Sequence, residues 1–243
     1  MAARRAVRMP SMRPPARSLR AAFVLAAVAL AGCGSSAASP NGIASMSAQE
    51  IVSEATRAAQ GAATVHVAGS IVSAHRPISL NMELVSQMGA QGTVTLGGLG
   101  VRLVRLERTL YLKGSGSFDR RVLGREAARH LRGRWLQGAA GSPALAPLAW
   151  LCDARRLLAR LLAGHGRLLR AGASTVDGRK ATAVQDPAAG GTLYVASTGV
   201  PYPLELAKGG AHAGTVVFDR WNRPVALTPP SNPVAVGELA GRR

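Results

Sequence analysis

The chain has 243 residues, 47% apolar and 17% charged, enough for the core of one large domain or two small ones and too apolar for a disordered chain. Two cysteines exclude a disulfide scaffold, and five scattered histidines exclude a multi-metal protein. The formal charge of +18 is what needs an account.

Part of that charge belongs to a targeting segment. Residues 1–20 carry Arg4, Arg5, Arg8, Arg13, Arg17 and Arg20 and no acid, and eleven apolar residues, AAFVLAAVALA, follow at 21–31. A permanent span needs roughly 20 apolar residues, whereas this run has the length of a signal-peptide h-region behind a basic n-region. The Arg4-Arg5 pair leaves a twin-arginine signal as the alternative, but it lies far from the h-region, and the general secretory route fits better. Leu30-Ala31-Gly32-Cys33 resembles a bacterial lipobox. Its small residues let a peptidase reach the backbone, and its thiol is the group that takes a diacylglyceryl thioether. The expectation is a lipoprotein signal peptide over 1–32 and a palmitate-type anchor on Cys33. Two acyl chains meet the two-signal need for stable anchoring, here on the extracytoplasmic face of the cell membrane.

Without residues 1–32 the chain keeps 24 basic and 12 acidic groups, and residues 102–170 alone hold 15 basic and 4 acidic ones. All the basic residues except Lys113, Lys180 and Lys208 are arginine. That richness is either genome composition or a surface for an anionic partner. An exported, anchored protein does not meet nucleic acid, so anionic lipid headgroups are the nearer partner.

Residues 33–46 read as a lipidated, flexible tether, small and polar around Pro40-Asn41-Gly42. Ser47 and Glu50 form a capping-box pattern opening a helix to about Gln60, with Ile51, Ala55, Ala58 and Ala59 as its apolar stripe. Period-two runs follow at 65–72, 78–85 (after an expected turn at Arg76-Pro77), 93–97, 101–107 and 109–114. Their short connections favour an antiparallel sheet with one apolar side to cover. A helix is expected from Phe118 to Leu131, with Leu123, Ala127 and Leu131 on one side and Arg121, Arg125, Arg129 and Arg132 near the other. A short strand at 134–137, a Pro-marked stretch at 142–151 and a helix from Asp153 to Gly164 come next. These amphipathic helices either cover the sheet or lie on a membrane surface. Strands resume near residue 168. Hairpins are expected at 174–186 around Asp177-Gly178, at 191–207, where Pro201 and Pro203 suggest an irregular or edge strand, and at 214–230. The tail, 231–243, has weak pattern.

This order resembles the LolA-like half-barrel lipoproteins, and among them the actinobacterial LppX/LprG group. The likeness covers 47–230 and is carried by VHVAG (65–69), TLYLKG (109–114), RWL (134–136), TVDGRKA (175–181), GTLYVASTGVPYPLEL (191–206) and VVFDRWNRPVALTPP (216–230). The resemblance implies an α+β fold: a strongly curved antiparallel half-barrel whose concave face is covered by helices and holds acyl chains. On that reading Leu80, Met82, Leu84, Leu110, Leu112, Leu193 and Val195 line an acyl cavity, while Arg121, Arg125, Arg129 and Arg132 meet an anionic headgroup.

No catalytic motif accompanies this pattern: there is no G-x-S-x-G elbow, P-loop, GxGxxG or H-E-x-x-H. The five histidines lack metal-ligand spacing, and Cys152 reads as a small buried hydrophobe. Tyr111, Trp135, Tyr194, Phe218 and Trp221 read as packing residues. The expectation is a monomeric, noncatalytic lipoprotein without cofactor or metal, binding and by extension transferring an acylated lipid or glycolipid. The alternative is a surface-anchored scaffold with a filled core and no lipid ligand.

Overall fold

The computed structural model describes residues 39–240 apart from 74–75, 164–165 and 211–212. The signal segment, the lipobox and Cys33 lie outside the described residues, as do His75, His165 and His212.

Helix α1 (Ala48–Gly61) starts where the Ser-x-x-Glu spacing places it. Ser47 Oγ accepts from the Glu50 backbone N–H, and the Glu50 carboxylate accepts from the Ser47 N–H at 2.8 Å. The bond from the Ser47 backbone, and then that from its side chain, hold the Glu50 carboxyl below its usual value. Ile51, Ala55 and Ala59 are the buried face, four residues apart.

Five antiparallel strands follow as a meander: β1 (Thr64–Ser73), β2 (Arg76–Val85), β3 (Gly89–Leu96), β4 (Leu99–Leu106) and β5 (Thr109–Gly114). After β5 come α2 (Gly116–Phe118), a π-helical turn (Asp119–Leu123), α3 (Arg125–Leu131), β6 (Leu136–Ala139), α4 (Ala146–Ala149), a 3₁₀ turn (Trp150–Cys152) and α5 (Ala154–Leu162). A second meander then runs through β7 (Leu169–Val176), β8 (Arg179–Asp186), β9 (Gly191–Ala196), β10 (Pro203–Lys208) and β11 (Gly214–Asp219). The chain ends in β12 (Val234–Ala235) and α6 (Val236–Ala240). Pairing of β1 with β11 joins the meanders into one sheet of twelve strands, ordered β12-β6-β5-β4-β3-β2-β1-β11-β10-β9-β8-β7. Its edges, β12 and β7, do not pair with each other, so the half-barrel is open.

The core lies between one face of this sheet and the helices. Leu80, Met82 and Leu84 of β2 are buried, while Ser79 and Asn81 are exposed and Glu83 is half-buried, the alternation that a half-covered sheet requires. Helix α5, capped by Asp153 accepting from the Arg156 N–H, adds Leu157, Leu158 and Leu162 to the same core as α1. Both helices therefore pack on their own domain, and the described residues cluster as one unit.

Several expectations are corrected. Arg76 and Pro77 lie in β2, Pro77 opposite Val72, rather than in a turn. The helix read over 118–131 breaks at Gly124, whose φ of +91° is outside helical space. Strand β10 is irregular, with a register shift between Pro203 and Glu205, but sits inside the sheet between β9 and β11. No strand forms at 224–230, where Pro224, Pro229 and Pro230 have no N–H to donate. The tail supplies β12 instead, parallel to β6 through Val234 opposite Leu136. Residues 39–46 are docked rather than free: Ile43 is 1% exposed, and Asn41 Nδ2 donates to the carbonyls of Ala196 and Gly199.

Candidate functional site

The seven residues expected to line an acyl cavity do come together. Leu80, Met82, Leu84, Leu110, Leu112, Leu193 and Val195 all belong to the single core beneath the helices, none more than 7% exposed. The space beside them is small. Leu84 borders a cavity of about 10 Å³ near the end of α1. Leu193 borders an apolar crevice of about 40 Å³ between α1, α5 and strands β8–β10, where Val52, Leu161, Leu162, Val184 and Leu206 meet. One water occupies roughly 30 Å³ of liquid, so neither space admits an acyl chain as it stands.

The second expected feature is displaced by one residue. Arg125 and Arg129, four residues apart on α3, and Arg132, the left-handed residue that ends it, line an open cleft of about 490 Å³. Arg120, not Arg121, is the fourth arginine there. The wide turn at Asp119–Leu123 and the break at Gly124 shift the helical phase that unbroken spacing would give. Asp119 also borders this cleft; it is 3% exposed and its Oδ1 has no hydrogen-bond partner. Burial raises the Asp119 carboxyl above its usual value, opposed by the charge of Arg120. Sequence reasoning missed both residues, because only the break in the helix puts them beside Arg125.

A third space, about 200 Å³, opens at the start of α5 between Gln87, Arg105, Cys152 and Asp153. Arg105 and Asp153 face each other at 3.8 Å. Cys152 is 1% exposed, and burial pushes its thiol up to about 12 against the opposing charge of Arg105, so it is no nucleophile at neutral pH. His66 on β1 is satisfied on both ring nitrogens, by Asp219 of β11 and Asn81 of β2. Among the described residues no group of three or more His, Cys, Asp or Glu is placed to hold a metal ion. Phe218 is buried in the core, Trp221 packs against it and stacks on Tyr202 at 4.4 Å, and Trp135 lies under Arg102 at 5.6 Å.

No protein-family model and no curated protein sequence matches the chain. Among solved structures, LprF from Mycobacterium bovis superposes with a TM-score of 0.53 at 15% identity, over 76% of this chain and 97% of LprF. The fold is that of LprF. The lipoprotein LppX from Mycobacterium tuberculosis gives 0.49 at 19% identity, over 74% of this chain and 98% of LppX. An uncharacterized conserved protein from Thermus thermophilus gives 0.38 at 13% identity, over 78% and 98%. The α+β half-barrel resemblance read from the sequence thus holds for the fold, and the LprF-like frame puts every buried candidate residue on one side of the sheet.

Proposed function

We propose that the protein is a noncatalytic binder, and by extension a carrier, of an acylated envelope molecule, held on the extracytoplasmic face of the membrane by the lipid on Cys33. The observation that carries this reading is the apolar crevice where α1 and α5 meet the sheet at Val52, Leu161, Leu193 and Leu206. It marks the helix–sheet seam along which a chain would insert. Entry requires α5 to lift. Its three buried leucines, Leu157, Leu158 and Leu162, represent roughly 5–9 kcal/mol of apolar burial. A chain of about a dozen methylenes gains ~10 kcal/mol on burial, which offsets that loss.

A second reading has its own support. The seven candidate lining residues are packed into the core, as in a surface-anchored scaffold that takes no lipid. Native mass spectrometry with lipid extraction separates the two, on a soluble Cys33→Ala form lacking residues 1–32 and made in a host of its own type. A stoichiometric lipid that disappears in Val52→Arg and Leu161→Arg, both only half-buried positions, is the expected result. A folded preparation with no lipid leaves the scaffold.

A further inference from the structure

We propose that the cleft built by α2, the π-helical turn and α3 binds a terminal phosphate group, a phosphomonoester carried either by a lipid or by a soluble molecule. The inference deepens the headgroup side of the reading above and rests on it for the lipid source alone. The cleft exists whether or not the core opens for an acyl chain.

Two observations converge there. Arg120, Arg125, Arg129 and Arg132 share one concavity of about 490 Å³, a volume suited to a small ligand. None of the four takes part in an ion pair among the described residues, although their neighbourhood includes Asp119 and Glu126. Like charges four apart on a helix, as Arg125 and Arg129 are, destabilise it, and a bound anion relieves that repulsion.

The second observation is that two glycines let the Arg120 and Asp119 side chains pack close against the backbone at the rim. A Cβ on Gly116 would come 3.3 Å from Arg120 Nη1, so the guanidinium folds over a position with no side chain. A Cβ on Gly114 would sit 2.1 Å from Asp119 Oδ1, so glycine is what lets the Asp119 carboxyl occupy its place. Asp119 works against an anion, as a buried carboxyl with an unpartnered oxygen at an otherwise cationic site, but it is a single group. Four positive groups against one carboxyl leave the cleft strongly cationic. Guanidinium forks match phosphate oxygens in pairs. A monoester presents three terminal oxygens and close to two charges, a diester only two oxygens and one charge, so the monoester satisfies more of the donors.

The full chain, in a neutral detergent, is titrated by calorimetry with glycerol 3-phosphate, dihexanoyl phosphatidic acid and dihexanoyl phosphatidylglycerol. Binding of glycerol 3-phosphate as tightly as phosphatidic acid identifies a soluble ester as sufficient, whereas binding of phosphatidic acid alone identifies the lipid headgroup. In either case Arg125→Ala and Arg129→Ala should each weaken binding by about tenfold or more, the worth of a charge-assisted hydrogen bond. The paired lysine variants should fall between, having the charge without the fork. Arg121→Ala, exposed and outside the cleft, should change affinity by less than about twofold. Because the replaced side chains are all exposed, melting temperatures check that the variants remain folded. Absence of phosphate binding, equal binding of phosphatidylglycerol, or an equal loss in Arg121→Ala would overturn the proposal. Glycerol 3-phosphate has no acyl chain, so this outcome is independent of whether lipid co-purifies.

Discussion

Ser47, Asp119 and Cys152 show how single groups report on the structure. The Ser47–Glu50 box satisfies two orphan N–H groups of α1. Ser47→Ala should therefore cost about 1 kcal/mol in chemical denaturation. Asp119 has its carboxyl raised by burial, so the folded state holds that proton more tightly than the unfolded chain does. Its contribution is fully present below the unfolded value and is lost as pH rises through the folded one. Melting temperatures of Asp119→Asn should accordingly lack the decline that the native chain shows across that window, and at neutral pH should equal or exceed the native value. Curves that coincide at every pH would mean that the carboxyl is solvated. Cys152, buried and with its thiol raised to about 12, should resist iodoacetamide in the folded protein and react only after denaturation, as a mass measurement would read directly.

At the scale of elements, the break at Gly124 governs the arginine cleft. An unbroken helix over 118–131 would carry Arg121 round to the side of Arg125; the π turn and the positive φ of Gly124 bring Arg120 and Asp119 there instead. A residue with a Cβ is strained at φ +91°. Gly124→Ala should cost about 1–3 kcal/mol and loosen the cleft, seen as a lower melting temperature together with weaker phosphate binding. The proline-rich stretch at 224–230 gives the complementary lesson. Its alternating apolar residues suit a strand beside 214–221, but its prolines deny it ladder donors, and the chain forms its last strand later, at Val234 beside β6.

For the whole molecule, the decisive contact is the pairing of β1 with β11, which joins two meanders far apart in sequence. Gly69 lies in that seam with a φ of +144°. A Cβ there would fall 2.0 Å from the Thr215 carbonyl oxygen and 2.8 Å from Val216 Cα, both fixed backbone atoms. Gly69→Ala should therefore destabilise the protein by about 3 kcal/mol or more in equilibrium unfolding, far beyond an ordinary surface replacement. Two-sided burial of β8, where Ala181 to Val184 are all covered, marks the same half of the sheet as closely packed. The half-barrel, with its one helical cover, follows from these pairings.

Local and periodic features were legible in the sequence because neighbours along the chain determine them. The Ser47 cap, the β2 alternation of Leu80, Met82 and Leu84, the Asp177-Gly178 turn and the Asp153 cap each depend on residues a few positions apart, and each stands in the structure. What depended on distant partners was not legible. The docking of Ile43, the pairing of Val234 with Leu136 and the crevice that Leu193 shares with Leu161 and Leu162 of α5 arise from contacts between segments that no period links. The same holds for the two candidate sites. Period two placed the apolar side chains on one face, but whether that face encloses a cavity or a filled core is a matter of volume, which only the packed helices determine. Period 3.6 placed three of the cleft arginines, and the fourth was decided by a backbone break that helical spacing cannot register.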